Sequence, residues 1–151
     1  MVTLHSGKQI IIDTKRIASK EEAVAISQEE AFKNTLTYQV LKKHNHSDNM
    51  EHLQIQFDSM GVYDNTYVGI LQTAYASGLK EFPMPCVFTN CHNCLCAVGG
   101  TINTDVHKYA ESACKKSGGI FVPPHEAVIH QYMREMIVKS GDMSIVSDSH
   151  T

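Results

Sequence analysis

A chain of 151 residues has the length of one ordinary domain. Its 13 basic and 16 acidic residues give a formal charge of −3, which argues against a protein that binds nucleic acid through a net basic face. Apolar residues make up 42% of the chain and charged residues 19%, as in folded proteins, and no apolar run approaches the roughly 20 residues that span a bilayer. We therefore expect no nucleic-acid partner and no membrane partner.

The beginning of the chain and its cysteines predict a cytoplasmic protein. Residues 1–13 contain no cationic segment followed by an apolar core, so they do not resemble a secretory signal. The five Cys are an odd number, and three of them lie close together at positions 91, 94 and 96. Reduced thiols in the cytosol fit this pattern better than a disulfide framework does.

Residues 1–60 are predicted to form a strand, helix and strand segment. The β-branched run at residues 9–13 is typical of a strand. Ser19 and Glu22 have the spacing of a capping box, which predicts a helix that continues through Phe32 to Leu41. Strict alternation of apolar and polar residues at 53–57 predicts a second strand, followed by a loop at 58–64.

Residues 61–151 are predicted to form an α/β domain that is incomplete. Three strands are expected at residues 85–90, 119–122 and 143–147. Three helices are expected at residues 66–77, at 106–116 with Asp105 as its cap, and at 125–138, with Gly78 ending the first. Short links in a βαβαβ order predict a parallel sheet flanked by helices.

Polar clusters follow two of these strands, at residues 90–93 and 148–151. Ligands of parallel sheets collect at the carboxyl ends of the strands, so both clusters are candidate site residues. Asp148, Ser149 and His150 bring together a carboxylate, a hydroxyl and an imidazole. A carboxylate can orient an imidazole, which can then transfer a proton near neutral pH. The alternative is a polar tail without a function.

Thiols in the loop after the first of these strands suggest a different kind of site. Cys91, Cys94 and Cys96 are soft ligands of the kind that bind zinc or iron–sulfur clusters. Their spacing has no matching second half elsewhere in the chain, so a small metal-binding module is kept as the alternative function. His125, Glu126 and His130 do not form a zinc-protease motif, because the second His comes one position too late.

Three stretches between about residues 60 and 151 have the order and rough spacing of motifs in one known family. Asp-Ser-His-Thr at 148–151, preceded by Val-Ile-His-Gln at 128–131, is similar to a helix and strand that end in this signature. The strand ending in Asn-Cys-His-Asn at 90–93 is similar to one that carries a catalytic His. Ile-Leu-Gln at 70–72 resembles a helix with a substrate-binding Gln. The chain thus resembles the N-terminal part of an aconitase-superfamily hydratase, close to the aconitase-like bacterial hydratases.

This resemblance implies a hydro-lyase that hydrates or dehydrates a small hydroxy-carboxylic acid. His92 would match the His that protonates the leaving hydroxyl. Asp148 and His150 would match the pair that orients the hydroxyl or water, and Ser149 and Gln72 would contact the substrate. The resemblance also implies a His paired with a downstream carboxylate, at position 130.

One departure from the family pattern leaves the first catalytic His open. The family has Asp directly before this His, whereas Cys91 stands there in this chain. A thiol cannot replace a carboxylate that orients an imidazole. Asp105 and His107 are a second candidate for the Asp and His pair, so the position of this His is either 92 or 107.

The resemblance also implies a cofactor that this chain does not complete. The family holds a [4Fe–4S] cluster with three Cys later in its sequence, and its carbon-acid base is a Ser on a separate domain. We therefore expect the cluster ligands to lie downstream of Thr151 and no cluster to bind this chain alone. The chain is expected to be a truncated piece that is inactive alone and self-associates through an exposed sheet edge; a rival is an inactive α/β fragment that persists only as an oligomer.

Overall fold

The computed structural model describes residues 2, 4, 6–7, 9–12, 16–91 and 101–150. The chain forms two compact units, Met1–Leu53 and Gln54–Thr151. No helix within the described ranges is long and apolar enough to cross a membrane. The predicted boundary at residue 60 lies inside a strand, and the division into two domains stays a prediction.

In the N-terminal unit, the described residues form two short strands and three short helices. Strand β1 (Ile11–Ile12) pairs antiparallel with β2 (Arg16–Ile17). The helices are α1 (Lys20–Ala25), α2 (Gln28–Lys33) and α3 (Leu36–His44). The single helix predicted from Ser19 to Leu41 is therefore wrong, although its start is correct.

Hydroxyl caps divide this helical segment. The capping box predicted at Ser19 is confirmed, with Ser19 Oγ accepting from the Glu22 amide and Glu22 accepting from the Ser19 amide. Ser27 and Thr35 then cap α2 and α3 in the same way, each accepting from the amide three residues later. A side-chain acceptor of this kind stabilises a helix start and competes with continuation of the preceding helix. Neither α1 nor α2 has a buried residue that would favour one longer helix.

In the second unit, the described strands form a parallel four-stranded sheet in the order β5-β4-β3-β6. Its strands are β3 (Ser59–Tyr63), β4 (Cys86–Thr89), β5 (Ile120–Val122) and β6 (Ser144–Val146). The predicted α/β class with a parallel sheet flanked by helices is confirmed, and all three strands predicted in this part are present. Strands β5 and β6 form the edges of this sheet.

The central strand β3 was not predicted. The expected strand at residues 53–57 is wrong, because these residues form only an isolated bridge at Ile55. Strand β3 occupies the predicted loop instead. It packs on both faces, so it lacks the alternation that marks a half-exposed strand. Gly61 weakens its strand propensity further, but a Cβ there would come within 3.2 Å of Ile129 Cδ1 and Met133 Sδ. Glycine therefore allows a helix to pack closely against this strand.

The helices that connect the strands differ from the prediction mainly at their starts. Helix α4 (Tyr67–Ala76) agrees with the prediction, whereas α5 (Thr101–Ser117) begins earlier than expected. Asp105 lies inside α5, so its predicted role as a cap is wrong. Helix α6 (Ile129–Tyr132) continues into a π-helical turn, Met133–Ile137. It begins later than expected, because residues 124–126 form a turn in which His125 has φ +69°, outside the helical region.

Two apolar clusters cover the two faces of the sheet. Alternate residues of β4 point to opposite faces, with Cys86 and Phe88 in one cluster and Val87 in the other. Helices α4 and α5 contribute Leu71 and Ala110 to the first cluster, among others, and α6 contributes to the second. Helices cover both faces of the sheet, and polar residues lie at its carboxyl edge.

Candidate active site

Polar residues follow three of the parallel strands at the carboxyl edge. Asp64 follows β3, Asn90 and Cys91 follow β4, and Ser147 and Asp148 follow β6. Tyr63 is level with Thr89, and Gly61 with Val146, so the register brings the strand ends to the same edge. These candidate site residues of the second unit are therefore held by the parallel sheet.

The carboxylate of Asp148 lies against two imidazoles. Its Oδ1 is 2.8 Å from His130 Nε2 and 3.4 Å from His150 Nδ1. Only 3% of the Asp148 side chain is exposed, compared with 34% of the His130 side chain and 83% of that of His150. His130 Nε2 is buried and makes no aligned hydrogen bond within the described residues, so its contact with Asp148 is electrostatic. The arrangement gives one sheltered carboxylate and one imidazole that solvent or a substrate can reach.

A tight turn brings these adjacent residues together. The amide of His150 donates a hydrogen bond of 3.1 Å to Asp148 Oδ1, which is the geometry of an Asx turn. Ser149 Oγ lies 3.3 Å from His150 Nδ1. The hydrogen bond to Asp148 thus turns the backbone that follows it. Three neighbouring residues therefore lie close together, whereas an extended strand would separate them.

The environment keeps Asp148 ionised at neutral pH. Burial by itself would raise the pKa of this carboxyl. The His150 amide, followed by the charges of His130 and His150, outweighs this effect and lowers the pKa below its ordinary value. An anionic Asp148 can orient the two imidazoles that lie against it.

Gln72 has no hydrogen bond or ion pair with this group among the described residues. It is exposed in the middle of α4, and no hydrogen bond links it to Asp148 or His130 among the residues that the structure describes. His130, by contrast, is held by α6, and its neighbour Ile129 in the same helix packs against Gly61. The structure therefore groups His130, Asp148, Ser149 and His150, whereas the substrate contact of Gln72 stays a prediction.

A second pair of a carboxylate and an imidazole, which the sequence did not predict, lies at the same edge. His107 Nε2 is 3.8 Å from Asp64 Oδ2, with side-chain exposures of 9% and 0%. Asp105, the expected partner of His107, is exposed on α5, two residues before the buried His107, and therefore on another side of the helix. Asp64 directly follows β3, so a correct prediction of this strand would have made Asp64 a candidate site residue.

Buried hydrogen bonds beside this second pair join the neighbouring strand ends. The Tyr67 hydroxyl donates to Asn90 Oδ1 at 2.9 Å and lies 3.0 Å from the Val106 carbonyl oxygen. Asn90 Nδ2 donates to the Val122 carbonyl oxygen at 2.7 Å, which links the ends of β4 and β5. Burial, and then the charge of Asp64, raises the pKa of Tyr67, so its hydroxyl remains a donor. This network fixes the edge on which the candidate site is built.

The described cysteines do not provide ligands for an iron–sulfur cluster. Cys86 and Cys114 are buried, and burial is the main cause that raises the pKa of each thiol to about 12. Cys91 is partly buried, with its Sγ 3.7 Å from Thr89 Oγ1. No group of three potential metal ligands occurs in the described part of the chain. His92, Cys94 and Cys96 lie outside the described residues, and so does Thr151.

Comparisons with known proteins agree with the fold. The model of the aconitase family (aconitate hydratase) matches residues 38–151, which is most of the chain. A segment of 44 residues is 48% identical to 3-isopropylmalate dehydratase large subunit 2 of Archaeoglobus fulgidus. This segment is 29% of the present chain and 11% of the length of that relative.

Proposed function

Because the chain belongs to the aconitase family, we propose that it supplies part of the active site of a hydro-lyase acting on a small hydroxy-carboxylic acid. The observation that carries this proposal is the buried carboxylate of Asp148 between His130 and His150 at the carboxyl edge of the sheet. The name of the dehydratase relative is consistent with a hydroxy acid as the substrate.

The proposed chemistry is transfer of one proton at the carbon–oxygen bond. Loss of water from a hydroxy acid is easier when the hydroxyl leaves as water, because hydroxide is a poor leaving group. The exposed imidazole of His150 can reach the substrate and the anionic Asp148 holds it in place, so this pair is assigned to orienting the hydroxyl or water. In the hydration direction the same pair orients the attacking water.

Three further residues take their proposed roles from the family resemblance. His92 is proposed to protonate the leaving hydroxyl, and Gln72 and Ser149 to contact the substrate. The contact between Ser149 Oγ and His150 Nδ1 supports a place for Ser149 beside the pair that orients the hydroxyl or water. The burial of His107 and its proximity to Asp64 favour a supporting role for this residue, which supports residue 92 as the first catalytic His.

The family implies a [4Fe–4S] cluster, and the described residues do not fit such a group. A cluster needs thiolate ligands, whereas Cys86 and Cys114 are held as thiols in the core. No step of the proposed chemistry is therefore assigned to a cluster on these residues. The alternative of a metal-binding module at Cys91, Cys94 and Cys96 is tested by titrating the purified chain with Zn²⁺ or Fe²⁺ and counting the thiols protected from alkylation.

Binding of hydroxy acids to the purified chain tests the proposed site. Citrate and 3-isopropylmalate are titrated while the histidine side chains are followed by NMR, and the signals of His130 and His150 are expected to move. A hydrogen bond to a charged group contributes about 1.5–3 kcal/mol, so His150→Ala should weaken binding at least about tenfold.

The matched control is His52→Ala, which removes an exposed His in the N-terminal unit. It should leave the affinity unchanged. The proposed function is contradicted if neither acid moves the signals of His130 and His150, or if the two alanine variants weaken binding equally.

A further inference from the structure

The threonine that precedes α4 is hydrogen-bonded to the strand end that carries Asp148. Thr66 Oγ1 lies 3.1 Å from the Tyr63 carbonyl oxygen and 2.7 Å from Ser147 Oγ. A hydroxyl has one proton, and a carbonyl oxygen can only accept. Thr66 therefore donates to Tyr63, and Ser147 donates to Thr66. This small chain of hydrogen bonds joins the ends of β3 and β6.

Ser147 is consequently anchored through both its backbone and its side chain. Its amide donates to the Gly61 carbonyl oxygen at 3.0 Å, and its hydroxyl donates to Thr66. Asp148 is the next residue, and its side chain accepts from the His150 amide. The backbone hydrogen bond fixes the register of Ser147 against β3, and the hydroxyl bond restricts the conformation of its side chain. Together they determine where the following carboxylate points.

Thr66 can serve as an anchor because the next residue is immobilised. Tyr67 is fully buried, and its hydroxyl is fixed by Asn90 and by the Val106 carbonyl oxygen. The neighbouring residues Thr66 and Tyr67 thus connect different parts of the carboxyl edge of the sheet. Tyr67 contacts the side of β4 and α5, and Thr66 contacts the end of β6.

We propose that Thr66 is a positioning residue, which acts through Ser147 to hold the Asp148 carboxylate against the imidazoles of His130 and His150. Its consequence for catalysis rests on the proposed function. The contact of the carboxylate with the imidazoles is a property of this chain and can be measured without turnover.

The test is the titration of the Asp148 carboxyl carbon, followed by NMR in the full chain. Thr66→Val removes the hydroxyl and preserves the branched shape, and we expect it to raise the pKa of Asp148 toward the ordinary value, because the carboxylate loses contact with the groups that stabilise its charge. Thr66→Ser keeps the hydroxyl and should restore the low pKa. Thr73→Val is the matched control, since the Thr73 hydroxyl bonds, within the described part of the chain, only to the Gly69 carbonyl of its own helix.

Ser147→Ala removes the other hydroxyl of the same bond and should give the same upward shift, which keeps the test decisive if Thr66→Val does not fold. The proposal is overturned if Asp148 titrates unchanged in a folded Thr66→Val or Ser147→Ala chain, or if Thr66→Ser shifts it as far as Thr66→Val. Failure of hydroxy acids to bind the unaltered chain would refute the proposed function and leave this result in place.

Discussion

Replacing Tyr67 by Phe removes a hydroxyl from the buried network and keeps the aromatic ring in the core. The hydroxyl has two acceptors, Asn90 Oδ1 and the carbonyl oxygen of Val106. The Val106 carbonyl lies within α5 and keeps its helical partner. The main loss is therefore the hydrogen bond to the buried amide of Asn90. Removing one partner of a buried hydrogen bond costs about 1–3 kcal/mol.

Urea unfolding followed by circular dichroism measures this loss. With a slope of about 2 kcal/mol per molar urea, a loss of about 2 kcal/mol lowers the unfolding midpoint by about 1 M. Tyr109→Phe is the matched control, because Tyr109 lies in α5 and its hydroxyl makes no hydrogen bond within the described residues. If Tyr67→Phe lowers the free energy of unfolding no more than Tyr109→Phe does, the network does not stabilise this edge of the sheet.

Three other predictions follow from the packing and charge of the second unit. A Cβ on Gly119 would lie 2.9 Å from Cys114 Sγ, so Gly119→Ala should destabilise the chain by about 1–3 kcal/mol. Gly69 lies in a helix with open space around it, so Gly69→Ala should stabilise the chain by about 0.5–1 kcal/mol. Thermal unfolding of both variants checks that the two changes have opposite signs. Because the pKa of Asp148 is lowered on folding, its stabilising effect is present above the ordinary value of 3.8 and is lost as the pH falls through the folded value. Asp148→Asn should therefore reduce the loss of stability below that pH, and an unchanged acid dependence in urea titrations would contradict the lowered pKa. Cys86 and Cys114, with pKa values of about 12, should resist iodoacetamide in the folded chain and react after unfolding, as mass spectrometry of the labelled peptides would show.

The activity of the isolated chain is a separate prediction. We expect no hydratase turnover from the 151 residues alone, even with iron present, because the family resemblance assigns the cluster ligands and the carbon-acid base to other parts of the sequence. General acid–base catalysis by itself contributes roughly 10²–10⁴-fold, which is below the 10⁶-fold or more that is typical of enzymes. Turnover of citrate that disappears in His150→Ala would show that the chain is sufficient.

Local signals in the sequence were enough to predict the Ser19 helix cap and the strands β4, β5 and β6. The Ser19 capping box and the end of α4 before Gly78 depend on residues within one turn of each other. The α/β class followed from the alternation of short apolar runs with helical patterns, which needs no knowledge of distant contacts. The turn at residues 148–150 is also local, since the Asp148 side chain bonds to a backbone amide two residues later.

The central strand and the pairing of the site residues were decided by tertiary structure. Strand β3 contains Gly61 and is covered on both faces, so no periodic pattern marks it, and its place depends on how closely Ile129 and Met133 approach. Likewise, the sequence contains His107 and Asp64 but gives no reason to pair residues 43 positions apart. The pairing arises because β3 ends beside α5, and a carboxylate at that edge has no other way to be buried than against polar partners.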